Sequence, residues 1–109
     1  MSEDELKVLL QDVKDYLHIS WYDEKTDKNL TGMIKRGMAH LNKIAGVSSL
    51  DYTVEDSPKS LLLDYVRYAN SQALEVFEIN FQGELLSLHL EYQANAQGDS
   101  DSEDTKQKS

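Results

Sequence analysis

Apolar residues recur at spacings of three and four along most of the chain, and they predict four helical segments. The strongest pattern lies between Leu61 and Phe81. There Leu61, Leu62, Tyr65, Val66, Ala69, Ala73, Val76 and Phe77 share one helix face, and Ser60, Asp64, Arg67, Ser71, Glu75 and Glu78 share the opposite one. A single helix of about 20 residues is expected here, from Pro58 to about Asn80, and it should be the longest and most buried. Ser57 would cap it, with the chain's only proline at the first helical position.

The first helix is expected from about Asp4 to Leu17, with Leu6, Leu9, Leu10, Val13, Tyr16 and Leu17 as its stripe. Ser2 and Glu5 have the spacing of a capping box. His18 to Lys25 breaks the periodicity and carries Trp21 and Tyr22. A second helix should start at Thr26 or Asp27 and stop at Gly46, with Leu30, Ile34, Met38, Leu41 and Ala45 facing inward. Gly32 and Gly37 lie inside it, each at a cost of roughly 1 kcal/mol relative to Ala. Either they are tolerated, or another backbone approaches closely there.

Between these helices and the third, Leu50, Tyr52 and Val54 alternate with polar residues, as in an extended arm lying on the bundle. After Phe81, Gln82-Gly83 should bend or interrupt the chain. Leu85, Leu86, Leu88, Leu90 and Tyr92 then form a short fourth segment. Leu86, Leu88 and Leu90 also fit a strand, but the surrounding residues are good helix formers. From Ala94 to Ser109 there is no Val, Ile, Leu, Met or aromatic residue, so this tail is expected to be disordered when free. The expected organisation is thus an all-α bundle of three to four helices over residues 1–93, followed by an acidic tail over 94–109.

Charge narrows the function. The 109 residues carry a formal charge of −9, which disfavours a phosphate backbone as the main ligand. There is no cysteine, so disulfides and thiolate metal sites are excluded. The start, MSEDELK, does not read as a signal peptide, and no apolar run approaches the ~20 residues of a membrane span. His18, His40 and His89 lie on different segments, with no spacing that gathers metal ligands. No serine sits in a glycine elbow, no glycine loop follows a strand, and the paired carboxylates read as solvated surface. No enzymatic activity and no cofactor are expected.

The distribution of charge is more specific than its sum. From Lys25 to Lys43 there are five cations and one acid; from Tyr68 to Thr105 there are eight acids and no Lys or Arg. These elements could pair within one subunit, or meet between subunits in a head-to-tail contact that closes into a ring. Arg67, three residues after Asp64, favours an exposed ion pair, with an interface anchor as the alternative. The candidate contact residues are Lys35, Arg36, Lys43, Arg67, Glu75, Glu78, Tyr52, Trp21 and Tyr22.

Three stretches resemble the head–tail connector family of tailed bacteriophages, also called head-completion adaptors. They are Asp12 to Leu17 followed by Asp23 to Asp27; Leu30 to Gly46; and Ser60 to Ala69 followed by Phe77 to Phe81. The resemblance implies a small helical bundle without enzymatic activity or cofactor. It implies a ring of about twelve copies under the portal vertex, in the virion neck after assembly in the host cytoplasm. Its partners would be other copies of itself, the portal protein and the next neck or tail protein. An acidic channel lining would let DNA pass without sticking. The competing class is a small acidic regulator or inhibitor that mimics DNA and occupies a basic protein surface.

Overall fold

The computed structural model describes the backbone of residues 2–104 and the side chains of residues 2–94. It is all-helical, with five helices and no strand among the described residues: α1 (Glu3–Tyr16), α2 (Glu24–Ala45), α3 (Ser57–Asn70), α4 (Leu74–Asn80) and α5 (Gln82–Asp104). The tail expected to be disordered lies outside the described side chains from residue 95 and outside the described residues from 105; the backbone is helical to Asp104.

Helix α1 begins with the expected capping box: the Glu5 amide donates to Ser2 Oγ at 3.1 Å, and the Ser2 amide donates to Glu5 Oε1 at 3.0 Å. The cap of α2 is a correction. Asp23 holds it, accepting from the Thr26 amide at 2.9 Å and from Thr26 Oγ1 at 2.8 Å, so Thr26 lies inside the first turn. Those two donors hold the Asp23 carboxyl below its ordinary pKa, the hydroxyl contributing most. Likewise Asp56, one residue earlier than expected, caps α3.

The larger correction concerns the long helix expected from Pro58 to Asn80. It is two helices, and α2, with 22 residues, is longer than either. Gln72 stands in the left-handed region at φ 57°. Its amide donates to the Ala69 carbonyl at 3.0 Å and the Ala73 amide reaches back to the Tyr68 carbonyl at 2.9 Å. These two bonds are a Schellman stop, which satisfies carbonyls left open at a helix end. The same pair ends α1 around His18 (φ 61°) and α2 around Gly46 (φ 75°). The break shifts the helical phase of α4, so Phe77 is fully buried while Val76 is turned toward solvent.

Helix α2 is the central element, packed against α1, α3 and α5. Its Leu30, Ile34, Leu41 and Ala45 meet Leu9 and Val13 of α1, Leu61, Leu62, Tyr65 and Val66 of α3, Phe77 of α4, and Leu85 and Leu88 of α5 in one core. Gly37 explains the close approach of α3: a Cβ there would lie 2.7 Å from Tyr65 Cδ1 and 2.8 Å from Leu62 Cδ1. The neighbour is side chain, not backbone. Gly32 meets only the Arg36 guanidinium of its own helix and is a tolerated imperfection. Where α3 turns into α4, Phe77 stacks on Phe81 with centroids 5.0 Å apart, and Tyr65 and Tyr68 pack edge-on against Phe77.

The arm between α2 and α3 is anchored by Asn42. Its Oδ1 accepts from the Leu50 amide at 3.0 Å and from the Tyr52 hydroxyl at 2.7 Å. Leu50 and Tyr52 are buried, whereas Val54 is half exposed.

Candidate functional site

The residues expected to make contacts fall into three groups. Lys35, Arg36 and Lys43 are exposed on the outer face of α2, and none of them forms an ion pair among the described residues. Helical spacing aligns them with Lys28 and with the exposed Ala39, giving a cationic face about four turns long.

On the acidic side, Glu75 is exposed at the start of α4. Glu78 is engaged within the subunit: its Oε2 accepts from His40 Nε2 of α2 at 3.0 Å. That contact lies within the subunit and leaves the Glu78 side chain half exposed. Arg67 pairs with Asp64 as its spacing predicts, Nη2 to Oδ1 at 3.3 Å, and its guanidinium lies 4.7 Å from the Tyr68 ring centroid. Asp64 also accepts from the Tyr16 hydroxyl, and that bond raises the phenol's pKa. The Tyr16–Asp64 bond ties α1 to α3, while the Arg67–Asp64 pair lies within α3.

Tyr52 is corrected from contact residue to core residue. It is 2 % exposed, its hydroxyl is held by Asn42 and the Met38 carbonyl, and burial pushes its pKa well above the ordinary phenol value. Trp21 and Tyr22 are the reverse. They stand 58 % and 75 % exposed on the α1–α2 turn and edge an open groove of about 480 Å³ with Lys7, Leu10 and Gln11. Below them Lys14 Nζ lies 5.8 Å from the Tyr22 ring centroid and pairs with Asp27 at 2.9 Å. A second groove, about 300 Å³, runs between α1 and the arm and is lined by Val8, Leu9, Asp12 and Lys59.

Several organising residues carry no clear signal in the sequence. Lys14 and Lys59 are both 7 % exposed, and Lys59 bridges Asp12 at 2.9 Å and Glu55 at 2.6 Å. Hydrogen bonds from Lys59 to Glu55 and then Asp12 raise its pKa. The spacing of Lys59 and Glu55 at i,i+4 is readable; the partners across helices are not. His89 donates from Nδ1 to the Ile44 carbonyl at 2.8 Å and so satisfies the last turn of α2 from α5. Leu86 and Leu90 are each 56 % exposed, one turn apart on the outer face of α5.

Among the described residues no three His, Asp or Glu side chains gather as metal ligands, and no helix is long and apolar enough to cross a membrane. The arrangement offers faces for contact: a cationic one on α2, an acidic one on α4 and α5, and an aromatic edge at the α1–α2 turn. No family model, curated protein or solved structure matches the chain.

Proposed function

We propose that the protein is a structural adaptor of a tailed-phage neck. Copies of it assemble head-to-tail into a ring on the portal vertex, extend the DNA channel and carry the next neck or tail protein. The observation that carries this reading is the separation of unlike exposed charge on one helical bundle: cations on the outer face of α2, and acids on α4 and the start of α5. Such a molecule is complementary to itself only through two different patches, which is the condition for a heterologous ring. Complementary charge fixes orientation more than it adds affinity. The exposed cations of α2 also favour this reading over a DNA mimic, which would present acid alone to a basic partner.

The test is capsid occupancy. Lys35→Glu with Arg36→Glu should leave the fold intact, because exposed charges usually change stability by under ~0.5 kcal/mol. The same variant should leave a smaller fraction of portal-bearing capsids carrying the adaptor, and raised salt should weaken the wild type toward it. Occupancy equal to wild type at low salt would sink the ring contact. Competition with DNA for a basic protein, without portal binding, would favour the inhibitor class instead.

A further inference from the structure

We propose that the acidic segment Asp99–Asp104 of one copy docks along the cationic outer face of α2 in a second copy of this chain. The inference deepens the proposed ring by naming what covers that face, and it rests on the ring only for attachment to a portal.

Helical phase builds the face. Lys25, Lys28, Lys35, Arg36 and Lys43 are all exposed, and they fall within an arc of about 100° around α2, opposite the buried Leu30, Ile34, Gly37 and Leu41. The row is about 27 Å long, with the small residues Gly32 and Ala39 along its middle. None of the five cations forms an ion pair among the described residues. The one acid between them in sequence, Asp27, is taken by Lys14. The subunit thus leaves a whole row of like charge without a counterpart.

The counterpart lies on α5. This helix leaves the bundle at the Gly46 end of α2: His89 donates to the Ile44 carbonyl at 2.8 Å, and Gln93 Nε2 lies beside Gly46. From Gln93 the helical backbone continues for about 16 Å, to Asp104. Asp99, Asp101, Glu103 and Asp104 lie in this stretch, with no Lys or Arg among them. Held on that helix, the segment is carried past Gly46 and away from its own Lys25–Lys43 row, so the row it reaches belongs to another copy. Six residues span about 9 Å as helix and about 20 Å fully extended, within the length of the row in either form.

Charge selects this occupant. Two acidic segments together, or two cationic rows, set like charges against each other; only the unlike pairing matches them, and it repeats from copy to copy. A DNA duplex brings a phosphate charge about every 1.7 Å, and beyond the row it meets a body whose formal charge is −9. The acidic segment brings its charges only where the row is.

The absence of cysteine makes the test direct. Ala39→Cys places a thiol in the middle of the row, and Ser102→Cys places one between Asp101 and Glu103. A short bismaleimide added to an equimolar mixture of the two full-length variants should give a cross-linked heterodimer, with little product from either variant alone. A chain carrying both changes should give a ladder. Adding Lys35→Glu and Arg36→Glu to the Ala39→Cys chain should cut the yield at least fivefold, with the helical circular-dichroism melt unchanged. Adding Asp101→Lys and Glu103→Lys to its Ser102→Cys partner should then restore most of it. Four results would overturn the proposal: no product from the mixture at high protein concentration, a cross-link confined within single chains of the double variant, a yield insensitive to the Lys35 and Arg36 reversal, or no recovery in the swapped pair. Retention of duplex DNA that needs Lys35 and Arg36 but not the acidic segment would also overturn it, and would assign the row to phosphate. A ladder from a protein that does not bind capsids would keep this contact and remove the portal. Capsid occupancy unaltered by Asp101→Lys with Glu103→Lys would keep the portal and remove this contact.

Discussion

The corner where α1 meets α2 and α3 differs in kind from the edge formed by α4 and α5. At the corner, charge is matched: Lys14 and Lys59, both buried, reach Asp27 and Asp12, and Asp64 takes both Tyr16 and Arg67. At the edge, charge and apolar surface are turned outward and unmatched. Glu75, Glu84 and Glu91 stand in solvent, and so do Val76, Ile79, Leu86 and Leu90. The matched corner holds the helices in place, and the edge leaves its charge and apolar side chains to solvent.

The largest effect should come from carrying one change to both regions. Leu62→Asp or Val66→Asp places a charge where exposure is 0 % and no partner is near. An unpaired buried charge costs several kcal/mol against a total stability of ~5–15, so both variants should be unfolded in circular dichroism at room temperature. Leu86→Asp or Leu90→Asp should move the urea midpoint by under ~0.5 kcal/mol equivalent. Equal losses in the two regions would erase the distinction between them.

Next in size is Lys59→Met, which tests the closed corner. Lys59 is held by Glu55 first and then Asp12; solvent screens the Glu55 bond, whose side chain is 84 % exposed, more than the Asp12 bond at 32 %. Losing a charge-assisted bond of that kind should cost about 1.5–3 kcal/mol in urea unfolding at neutral pH. The raised pKa sets the pH dependence. A lysine whose folded pKa lies above the unfolded 10.5 gives its full stabilisation below that value and loses it as pH climbs through the folded one. The gap between wild type and Lys59→Met should hold at pH 7 to 9 and narrow as pH is raised beyond 10.5. A constant gap would mean that Lys59 acts through its aliphatic stem alone.

Much of the fold is legible in the sequence because most of it is set by periodicity. The stripes of α1 and α2, the Ser2–Glu5 box, the Gly46 stop and the interruption near Gln82 arise from rules that act within a few residues. The break between α3 and α4 is hidden for a physical reason. A Schellman stop is announced by glycine, and here glutamine holds the left-handed position, stabilised by tertiary packing of Phe77 and Phe81 that local sequence does not reveal. The candidate site divides the same way. The cationic face of α2 is readable as a run of like charge with helical spacing, and so is the Asp64–Arg67 pair. Placing Tyr52 inside requires knowing that Asn42 folds the arm back, and the His40–Glu78 contact requires knowing how α4 returns to α2. By pattern alone Leu86 and Leu90 read as packing residues, yet helical phase sets them on a different face from Leu85, Leu88 and Tyr92.

The two mid-helix glycines separate contact from tolerance at smaller cost. Gly37→Ala forces a methyl group against Tyr65 and Leu62; overpacking of about 1–3 kcal/mol, partly offset by ~1 kcal/mol of helix propensity, should leave a net loss of up to ~2 kcal/mol. Gly32→Ala meets only the tip of Arg36, 3.2 Å away and free to move. It should gain up to ~1 kcal/mol. Thermal unfolding of the pair gives opposite signs if α3 sits tightly against Gly37. A gain at both positions would place α3 farther from α2.

The smallest change bears on whether the open edge is held in place. Gln72 occupies the left-handed conformation at φ 57°, where an L side chain meets the adjacent carbonyl, while Gly46 performs the same stop without that strain. Gln72→Gly removes the clash but enlarges the freedom of the unfolded chain, so the expected gain is only about 0.5–1 kcal/mol, read from the thermal midpoint. The alternative arrangement is a continuous helix through residues 57–80, as the apolar pattern alone favours, and there glycine would lie mid-helix and cost about 1 kcal/mol instead. The sign of the change therefore decides between a built stop and a fused helix. It also decides the face of α4. With the stop in place Phe77 packs inward and Val76 and Ile79 point outward; with a fused helix Val76 would return to the stripe of Ala69 and Ala73, and the edge would lose part of its exposed apolar surface. A stabilised Gln72→Gly would thus place Val76 and Ile79 on the solvent side of α4.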